Sequence, residues 1–216
     1  MKIILASGSP RRKELLEQAG YTFTIEVSDA DEQIQAKNPE HLVEELSRRK
    51  AFAVARQHLR GQNPDMDFSG KEPLMVIGAD TVVALEGQIL GKPAEEEDAV
   101  RMLQELAGKT HQVYTGVSLY RIEEGEITGT RTFFVCTDVA MRPLDEEEIR
   151  AYVRTGEPMD KAGAYGIQGK AAVFIEGIRG DYYNVVGLPI CALVQQMNGL
   201  AMEKSSRQQE EHRERK

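Results

Sequence analysis

Cysteine is scarce in this sequence: two residues in 216, Cys136 and Cys191, with no CxxC motif and no Cys/His cluster. The scarcity argues against a structural zinc site and a disulfide scaffold, and it is typical of proteins in a reducing cytoplasm. No apolar run approaches the length needed to span a membrane. Because the chain opens directly on a predicted strand, we expect no signal peptide, a cytoplasmic location and no membrane contact.

Positive charge is also in deficit, since the formal net charge is −8. This balance argues against a general nucleic-acid-binding protein, so we expect no nucleic-acid partner. Any anion that the protein binds must therefore meet a local positive site. No Walker-type GxxxxGKS or GxxxxGKT motif and no internal repeat is present. Apolar residues make up 41% of the chain, which is enough for a core in one large domain or two small ones.

Hydrophobic periodicity predicts strands mixed with helices. Strands are predicted at 2–6, 74–85, 88–90, 111–122, 127–141 and 171–178, and helices at 10–20, 39–59, 95–107, 145–154 and 188–197. Hairpins mixed with helices favour an α/β fold with a mixed sheet over a doubly wound one. We expect a single domain over 1–200, a long surface loop at 60–73 and a charged, disordered tail over 201–216.

The segment KIILASGSPRRKELLEQAG, residues 2–20, places Arg11 and Arg12 in the first turn of a helix. That turn is the positive end of the helix dipole, where cations are disfavoured. Two solvated surface residues with a small penalty are one interpretation. The other is an anion site, in which Ser7, Ser9 and free backbone N–H groups cradle a phosphate chain together with the two guanidinium groups.

Asp80 lies within the apolar strand IGADTVV, where an ionised carboxylate is costly unless it is paired or bound to a metal. A structural role, capping the strand end or pairing with a lysine, is one explanation. A metal ligand or a general base is the other. Lys50 lies on the apolar stripe of its helix, four residues from Leu46 and from Val54, and snorkelling to the surface would also explain it.

Two further segments carry cations beside small residues: GKP at 91–93, with Lys92, and DKAGAYGIQG at 160–169, with Lys161 and Gln168. Small residues would let the backbone approach a ligand closely. Each signal is weak alone. Together, five cations and the carboxylates of Glu32, Asp80 and Asp160 suit a polyphosphate with a divalent metal ion.

These segments, taken in order, resemble the Maf family of nucleoside triphosphate pyrophosphatases from residue 3 to about 197. The resemblance is carried by ASGSPRRKELL, DE at 31–32, KA at 50–51, IGADTVV, ILGKP, HQVYTGV at 111–117, DKAGAY and GDYYNVVGLP. Only the loop at 60–73 and the tail depart from the common pattern, and neither interrupts a motif.

The resemblance implies an elongated α/β fold of the inosine triphosphate pyrophosphatase (Maf/Ham1) kind, with two lobes around a cleft. It implies hydrolysis of a nucleoside triphosphate to the monophosphate and pyrophosphate with Mg²⁺ or Mn²⁺, and a homodimer is a family expectation. The catalytic aspartate of the family falls on Asp80, and its specificity positions fall on Arg11, Thr81 and Gln168. Glu32 would join Asp80 in placing the metal or activating water. The phosphates would meet Ser7, Ser9, Arg11, Arg12, Lys50, Lys92 and Lys161.

The segment GAYGIQG resembles the branch that acts on dTTP and UTP, whereas a sister branch acting on 7-methyl-GTP carries glutamate in place of Gln168. An amide both donates and accepts, as the O4 and N3–H edge of uracil or thymine requires. The family is also associated with arrested cell division and septum formation. A nucleotide-binding regulator without significant turnover is therefore the alternative function.

Overall fold

The strands form one mixed sheet in the computed structural model, which describes residues 1–31, 34, 36, 38–60 and 72–214, with side chains as far as residue 202. In chain order they are β1 (Lys2–Leu5), β2 (Thr24–Ile25), β3 (Leu74–Leu85), β4 (Gln88–Leu90), β5 (Thr110–Glu123), β6 (Glu126–Met141) and β7 (Ile175–Arg179). The order across the sheet is β2-β1-β3-β5-β6-β7, with β4 paired to β3. β1 is parallel to both neighbours and the other pairs are antiparallel. The predicted mixed α/β fold is confirmed.

Six α-helices connect and cover these strands in the described part of the chain. They are α1 (Pro10–Gln18), α2 (Pro39–Gln57), α3 (Glu96–Leu106), α4 (Glu146–Val153), α5 (Tyr182–Val186) and α6 (Ile190–Glu214). Local chemistry explains where two of them begin. The Asn38 side chain accepts from the backbone N–H groups of Glu40 and His41 at the start of α2. Asp145 and Glu148 form a reciprocal capping box at the start of α4.

The sequence prediction was wrong over the first part of 171–178. Lys170–Phe174 is a 3-10 helix, and β7 begins only at Ile175, where pairing with Met141 of β6 starts. Apolar residues alone cannot separate a strand from a short helix. β2 and α5 are too short for periodicity to detect. The last helix continues to Glu214, so the backbone of the segment predicted as a disordered tail is helical. The abundant Glu, Gln, Lys and Arg there have good helix propensity.

Alternate residues of the central strands contribute to two apolar clusters on opposite faces of the sheet. Ile3, Leu5 and Ile77 pack beneath α1 and α6, whereas Ile4 and Val76 pack beneath α2. A third cluster gathers the far end of β3, β4, α3 and α4 around Leu103 and Ile149. The first two clusters thus lie on the two faces of one part of the sheet and the third lies at another part, and we call these two packed regions the lobes. None of the helices in the described part of the chain combines the length and the hydropathy that a membrane span requires.

The close approach of α2 to the sheet depends on two glycines. A Cβ added to Gly78 of β3 would lie 2.5 Å from the carbonyl oxygen of Ser47, and one added to Gly116 of β5 would overlap the carbonyl group of Val43. Both added atoms would collide with helix backbone, which cannot turn aside as a side chain can. The absence of side chains at these two positions therefore sets the height of α2 above the sheet, and α2 carries Lys50.

Candidate active site

A cavity of about 730 Å³ lies where the two lobes meet. Its wall is formed by the turn between β1 and α1, one side of α2, the middle of β3, the segment after β4, residues 160–169 and the residues at the end of α5. The predicted site residues in this wall are Ser7, Ser9, Arg11, Arg12, Lys50, Asp80, Thr81, Lys92, Lys161 and Gln168. Five of these six segments thus bring every predicted site residue except Glu32 to one cavity.

The turn between β1 and α1 presents backbone donors to the cavity. Pro10 occupies the first helical position, and Ser9, the residue before it, makes no side-chain cap. The first-turn N–H groups of a helix have no partner within the helix, so this end is suited to an anion. Ser7 is buried, and its hydroxyl accepts from the Ser9 N–H at 3.3 Å. That contact closes the turn beneath the helix.

Arg12 is held by acceptors from three separate parts of the fold. Its Nε donates to the Gly187 carbonyl at 2.8 Å, Nη1 to the Ser7 hydroxyl at 3.1 Å and Nη2 to the Thr81 hydroxyl at 3.1 Å. Arg11 behaves differently, because the partner it has among the described residues is the Asp160 carboxylate, at 3.3 Å. The two cations predicted to share one task therefore have different surroundings, and the phosphate role of each stays a prediction.

Thr81 belongs to a buried hydroxyl chain that fixes the direction of its hydrogen bonds. Thr115 donates to the Asn184 carbonyl at 2.9 Å, so its oxygen accepts from Thr81, 2.9 Å away. Thr81 in turn accepts from Arg12. A hydroxyl has a single proton to donate. The Thr81 hydroxyl therefore has its proton committed to Thr115 and faces the cavity as an acceptor.

Asp80 and Lys50 form a close ion pair in the cavity wall. The Lys50 Nζ lies 2.6 Å from Asp80 Oδ1, and the side chains are 14% and 13% exposed. Lys50 therefore does not reach for bulk solvent as a snorkelling lysine would. Lysine pairing was the structural explanation for Asp80, and the pair exists. Since both groups line the cavity, however, the pair also places a carboxylate and an ammonium group beside any ligand there.

Lys161 and Asp160 extend the charged wall. The Lys161 Nζ donates to Asp160 Oδ1 at 2.6 Å and to the backbone carbonyl of Glu157 at 2.6 Å. Burial acts to raise the pKa of Asp160, but the hydrogen bonds and charges of Lys161 and Arg11 outweigh it and lower that pKa overall. Asp160 is thus held in its ionised form and neutralises part of the local positive charge.

Lys92 and Gln168 are the most solvent-exposed predicted residues of the wall. Lys92 follows β4 in the GKP segment, and the carbonyl of its neighbour Gly91 accepts from the Gly163 N–H at 3.0 Å. Gln168 lies in a turn closed by a hydrogen bond from the Gly169 N–H to the Gly166 carbonyl at 3.1 Å. Both side chains are therefore accessible to a ligand in the cavity.

The remaining metal-related prediction cannot be placed, because Glu32 lies outside the described residues. Among the residues that are described, no group of three His, Cys, Asp or Glu side chains is close enough to hold a metal ion. Asp80 is the described residue of the predicted metal pair. A single carboxylate is compatible with Mg²⁺, which is usually held by one or two carboxylates with substrate phosphates and water completing its shell.

Sequence reasoning missed the buried groups that support the wall. His111 is fully buried, and its Nε2 lies 2.6 Å from the hydroxyl of Tyr165, which lines the cavity. Burial lowers the pKa of His111 to about 4, so the imidazole is neutral. Asn184, also fully buried, donates to the Val113 carbonyl at 2.9 Å and to the Thr137 hydroxyl at 3.0 Å. The sequence signal was present, because His111 lies within HQVYTGV and Asn184 within GDYYNVVGLP.

The fold and the cavity together define a class: an α/β protein whose two lobes enclose a cation-rich cleft suited to a phosphate-bearing ligand. The chain belongs to the Maf family, because the family model described as Maf-like protein matches residues 2–200. The resemblance inferred from the motifs is confirmed.

Curated relatives carry a more specific name. A protein of Agathobacter rectalis named dTTP/UTP pyrophosphatase is 52% identical over 202 residues, which cover 94% of this chain and 98% of the relative. One of Bacillus thuringiensis subsp. konkukian with the same name is 51% identical over 197 residues, covering 91% and 94%.

Two solved structures show weaker likeness. The Ham1 protein of Staphylococcus aureus is 14% identical with a TM-score of 0.40, over 65% of this chain and 72% of that one. A nucleoside-triphosphatase / dITP/XTP pyrophosphatase of Mycobacterium abscessus is 12% identical with a TM-score of 0.37, over 94% and 97%. Scores this low reflect only partial superposition of the backbones.

Proposed function

We propose that this protein is a nucleoside triphosphate pyrophosphatase that hydrolyses dTTP and UTP to the nucleoside monophosphate and pyrophosphate. Relatives with that name are 51% and 52% identical to it over nearly their whole length. The observation that carries the proposal is the Lys50–Asp80 pair, 2.6 Å apart, in the wall of a cavity that also contains the start of α1. A carboxylate beside an anion-binding helix start is what hydrolysis of a phosphoanhydride needs.

The triphosphate binds at the start of α1. The N–H groups of its first turn, the turn through Ser7 and Ser9, and the Arg11 guanidinium provide donors to phosphate oxygens. Arg12 adds charge from behind the turn, where its protein partners hold it. Lys50, Lys92 and Lys161 complete the positive surroundings. The unfavourable position of two arginines at the positive end of a helix dipole is then offset by the anion that lies against them.

Asp80 acts at the α-phosphorus. A water oxygen forms a bond to that phosphorus, the bond to the bridging oxygen breaks, and pyrophosphate leaves with the bonding electrons. Asp80 either accepts the proton of the water or orients a metal ion, and both roles use a carboxylate at this position. Lys50 neutralises Asp80 before substrate binds, which removes the repulsion that a lone carboxylate would exert on a triphosphate.

A divalent metal ion, Mg²⁺ or Mn²⁺, fits the hard oxygen donors that this site offers. Asp80 would hold it, with Glu32 as the second predicted ligand. Bound there, the ion would supply positive charge that offsets the charge developing on the pyrophosphate leaving group.

Gln168, Thr81 and Arg11 determine which nucleotide is accepted. The Gln168 amide offers one donor and one acceptor to the O4 and N3–H edge of uracil or thymine. The Thr81 hydroxyl contributes an acceptor, because its proton is directed to Thr115. Cytosine presents a hydrogen-bond donor where uracil presents an acceptor, and an acceptor where uracil presents a donor. Discrimination between UTP and CTP therefore depends on how firmly the Gln168 amide is held in one orientation.

Release of pyrophosphate from dTTP, UTP, CTP, ATP and GTP in the presence of Mg²⁺ tests the proposal. We expect dTTP and UTP to give the highest kcat/KM. Absence of turnover with all five nucleotides would contradict the activity. If UTP then binds without being hydrolysed, the nucleotide-binding regulator becomes the better description.

A further inference from the structure

The turn that carries Gln168 is fastened from below by a residue outside the cavity wall. The turn runs from Gly166 to Gly169, with Ile167 and Gln168 as its two central residues. Immediately after it, the Lys170 N–H donates to Glu157 Oε2 at 3.0 Å. The other oxygen of the same carboxylate, Oε1, accepts from the Tyr152 hydroxyl at 3.0 Å.

Both groups that contact the Glu157 carboxylate are hydrogen-bond donors, which favours an acidic residue at this position. A carboxylate has acceptor oxygens on both sides and satisfies the two donors at once. The Gly166 backbone acts to lower the pKa of the Tyr152 hydroxyl, against the larger effect of burial, which raises it. Tyr152 thus lies beside the beginning of the turn and contacts the carboxylate that holds its end.

Side chains of this support occupy the space beside the two glycines of the turn. A Cβ added to Gly169 would overlap the Glu157 carboxylate, and one added to Gly166 would lie 2.7 Å from Cε of Lys161. The backbone of the turn therefore rests directly on Glu157 and Lys161. Lys161 also donates to the Glu157 carbonyl, so the two supports are themselves connected.

We propose that Glu157 is a positioning residue for base recognition, which holds the Gly166–Gly169 turn and with it the amide of Gln168. The proposal rests on the proposed function, where Gln168 reads the base. Glu157 does not contact the nucleotide. Its effect on the base is transmitted through the turn. Glu157 is also connected to Arg11, at the phosphate end of the cavity, through hydrogen bonds that join Lys161 and Asp160.

Glu157→Gln is the first variant to measure. The amide keeps the size of the side chain but turns an NH₂ group toward one of the two donors, so one contact is lost. We expect kcat/KM for UTP to fall about 10-fold, as for the loss of one hydrogen bond to a charged group. We expect a smaller fall for CTP, so that the UTP-to-CTP ratio decreases. Tyr152→Phe, which removes the other contact, should change the ratio in the same direction.

Glu147→Gln is the matched control. Glu147 is an exposed residue of α4 that does not line the cavity, and the substitution makes the same change in charge. The UTP-to-CTP ratio of kcat/KM and the KM values of this variant should equal those of the wild type. A merely structural Glu157 would reduce the amount of active protein, lowering the activity toward every nucleotide equally and leaving both KM and the ratio unchanged. That result would overturn the proposal.

A double-variant cycle tests the contact itself. Gly169→Ala alone should weaken UTP selectivity, because its methyl group displaces the Glu157 carboxylate. In a Glu157→Ala background that space is open, so adding Gly169→Ala should cost little more. Independent effects that multiply would contradict direct contact as the mechanism.

Equilibrium binding of UTP and CTP separates this proposal from the activity. If wild-type protein releases no pyrophosphate from UTP, the proposed function fails, yet the ratio of the two dissociation constants still reports base recognition. A ratio that Glu157→Gln reduces supports the positioning role. Equal affinity of the wild type for UTP and CTP, or a ratio that the variant leaves unchanged, overturns it.

Discussion

Arg11 and Arg12 are adjacent in sequence but differ in what holds them. Arg12 donates to acceptors in three separate parts of the fold, one of them the carbonyl of Gly187 just beyond α5. Arg11 makes a partly exposed pair with Asp160, whose side chain is 64% exposed, and exposed pairs contribute little to stability. Arg12 is thus built into the fold, whereas Arg11 is available to a ligand.

We therefore expect Arg12→Ala to lower stability by about 1–3 kcal/mol, because buried acceptors lose their donors. Arg11→Ala should change stability by less than about 0.5 kcal/mol while raising KM or lowering kcat for the nucleotide. Chemical denaturation and pyrophosphate release, measured on both variants, check the contrast. Equal unfolding midpoints would contradict it, and so would a destabilised Arg11→Ala protein with normal kinetics.

Asp80→Asn should leave the fold intact and remove activity. The amide is neither a base nor a good ligand for a hard metal ion, so kcat should fall by at least ~100-fold. Stability should fall, because Lys50 keeps its charge in a largely buried position and loses the carboxylate that neutralises it, although the amide oxygen can still accept its hydrogen bond. Circular dichroism and pyrophosphate release on the same preparation separate the two effects. Near-normal turnover would exclude Asp80 from the reaction.

At the scale of elements, helix α2 delivers Lys50 to β3 because two glycines let it lie close to the sheet. The contact is continuous from Gly116 on β5, beneath Val43, to Gly78 on β3, beneath Ser47. Lys50 follows one turn later on the same helix and meets Asp80 two residues beyond Gly78. Packing and the site are therefore parts of one geometry.

Gly116→Ala should disturb both the packing of α2 on the sheet and the geometry of the site. The added methyl group overlaps the Val43 backbone, and overpacking of this kind costs about 1–3 kcal/mol. Lifting α2 should also separate Lys50 from Asp80 and reduce kcat/KM. Gly177→Ala is the control, since no atom lies within 4 Å of the added Cβ on β7. If both variants unfold at the same denaturant concentration, the close approach of α2 does not limit stability.

Local chemistry explains which parts of this geometry the sequence could reveal. Pro10 and Gly20 bracket α1, and the apolar run of β3 makes Asp80 conspicuous, so the strand, the helix and the carboxylate were all predictable. Pairing of Asp80 with a lysine was foreseen only as an alternative, and Lys50 was not identified as that lysine, because sequence spacing does not give the distance between residues on two different elements. Glu157 was not recognised, since its importance comes from a turn that begins nine residues later in the chain.

For the whole molecule, the packing of the lobe around Leu103 creates a dependence of stability on pH. His111 of β5 is fully buried there against Tyr165, with their rings 5.3 Å apart and nearly perpendicular. Burial lowers the pKa of His111 to about 4, because the protonated imidazole would be a cation without contact to water. The unfolded chain regains an ordinary histidine pKa of about 6.5 and binds the proton more readily.

Stability should therefore be fully present above the unfolded pKa and should fall as the pH drops from about 6.5 toward 4. Between pH 7.5 and 5 the loss should be about 2 kcal/mol, since the unfolded state alone gains the proton over most of this range. Carboxyl groups with a lowered pKa, such as Asp138 and Glu148, lose their contribution only at lower pH.

Denaturant unfolding at pH 7.5, 6 and 5 measures this loss. His111→Phe should be less stable than the wild type at pH 7.5, because Tyr165 loses its partner, but nearly free of the dependence between pH 7.5 and 5. Tyr165→Phe should keep that dependence, because burial rather than the tyrosine lowers the histidine pKa. Equal slopes for the wild type and His111→Phe would show that another group titrates in this range and that His111 is not its source.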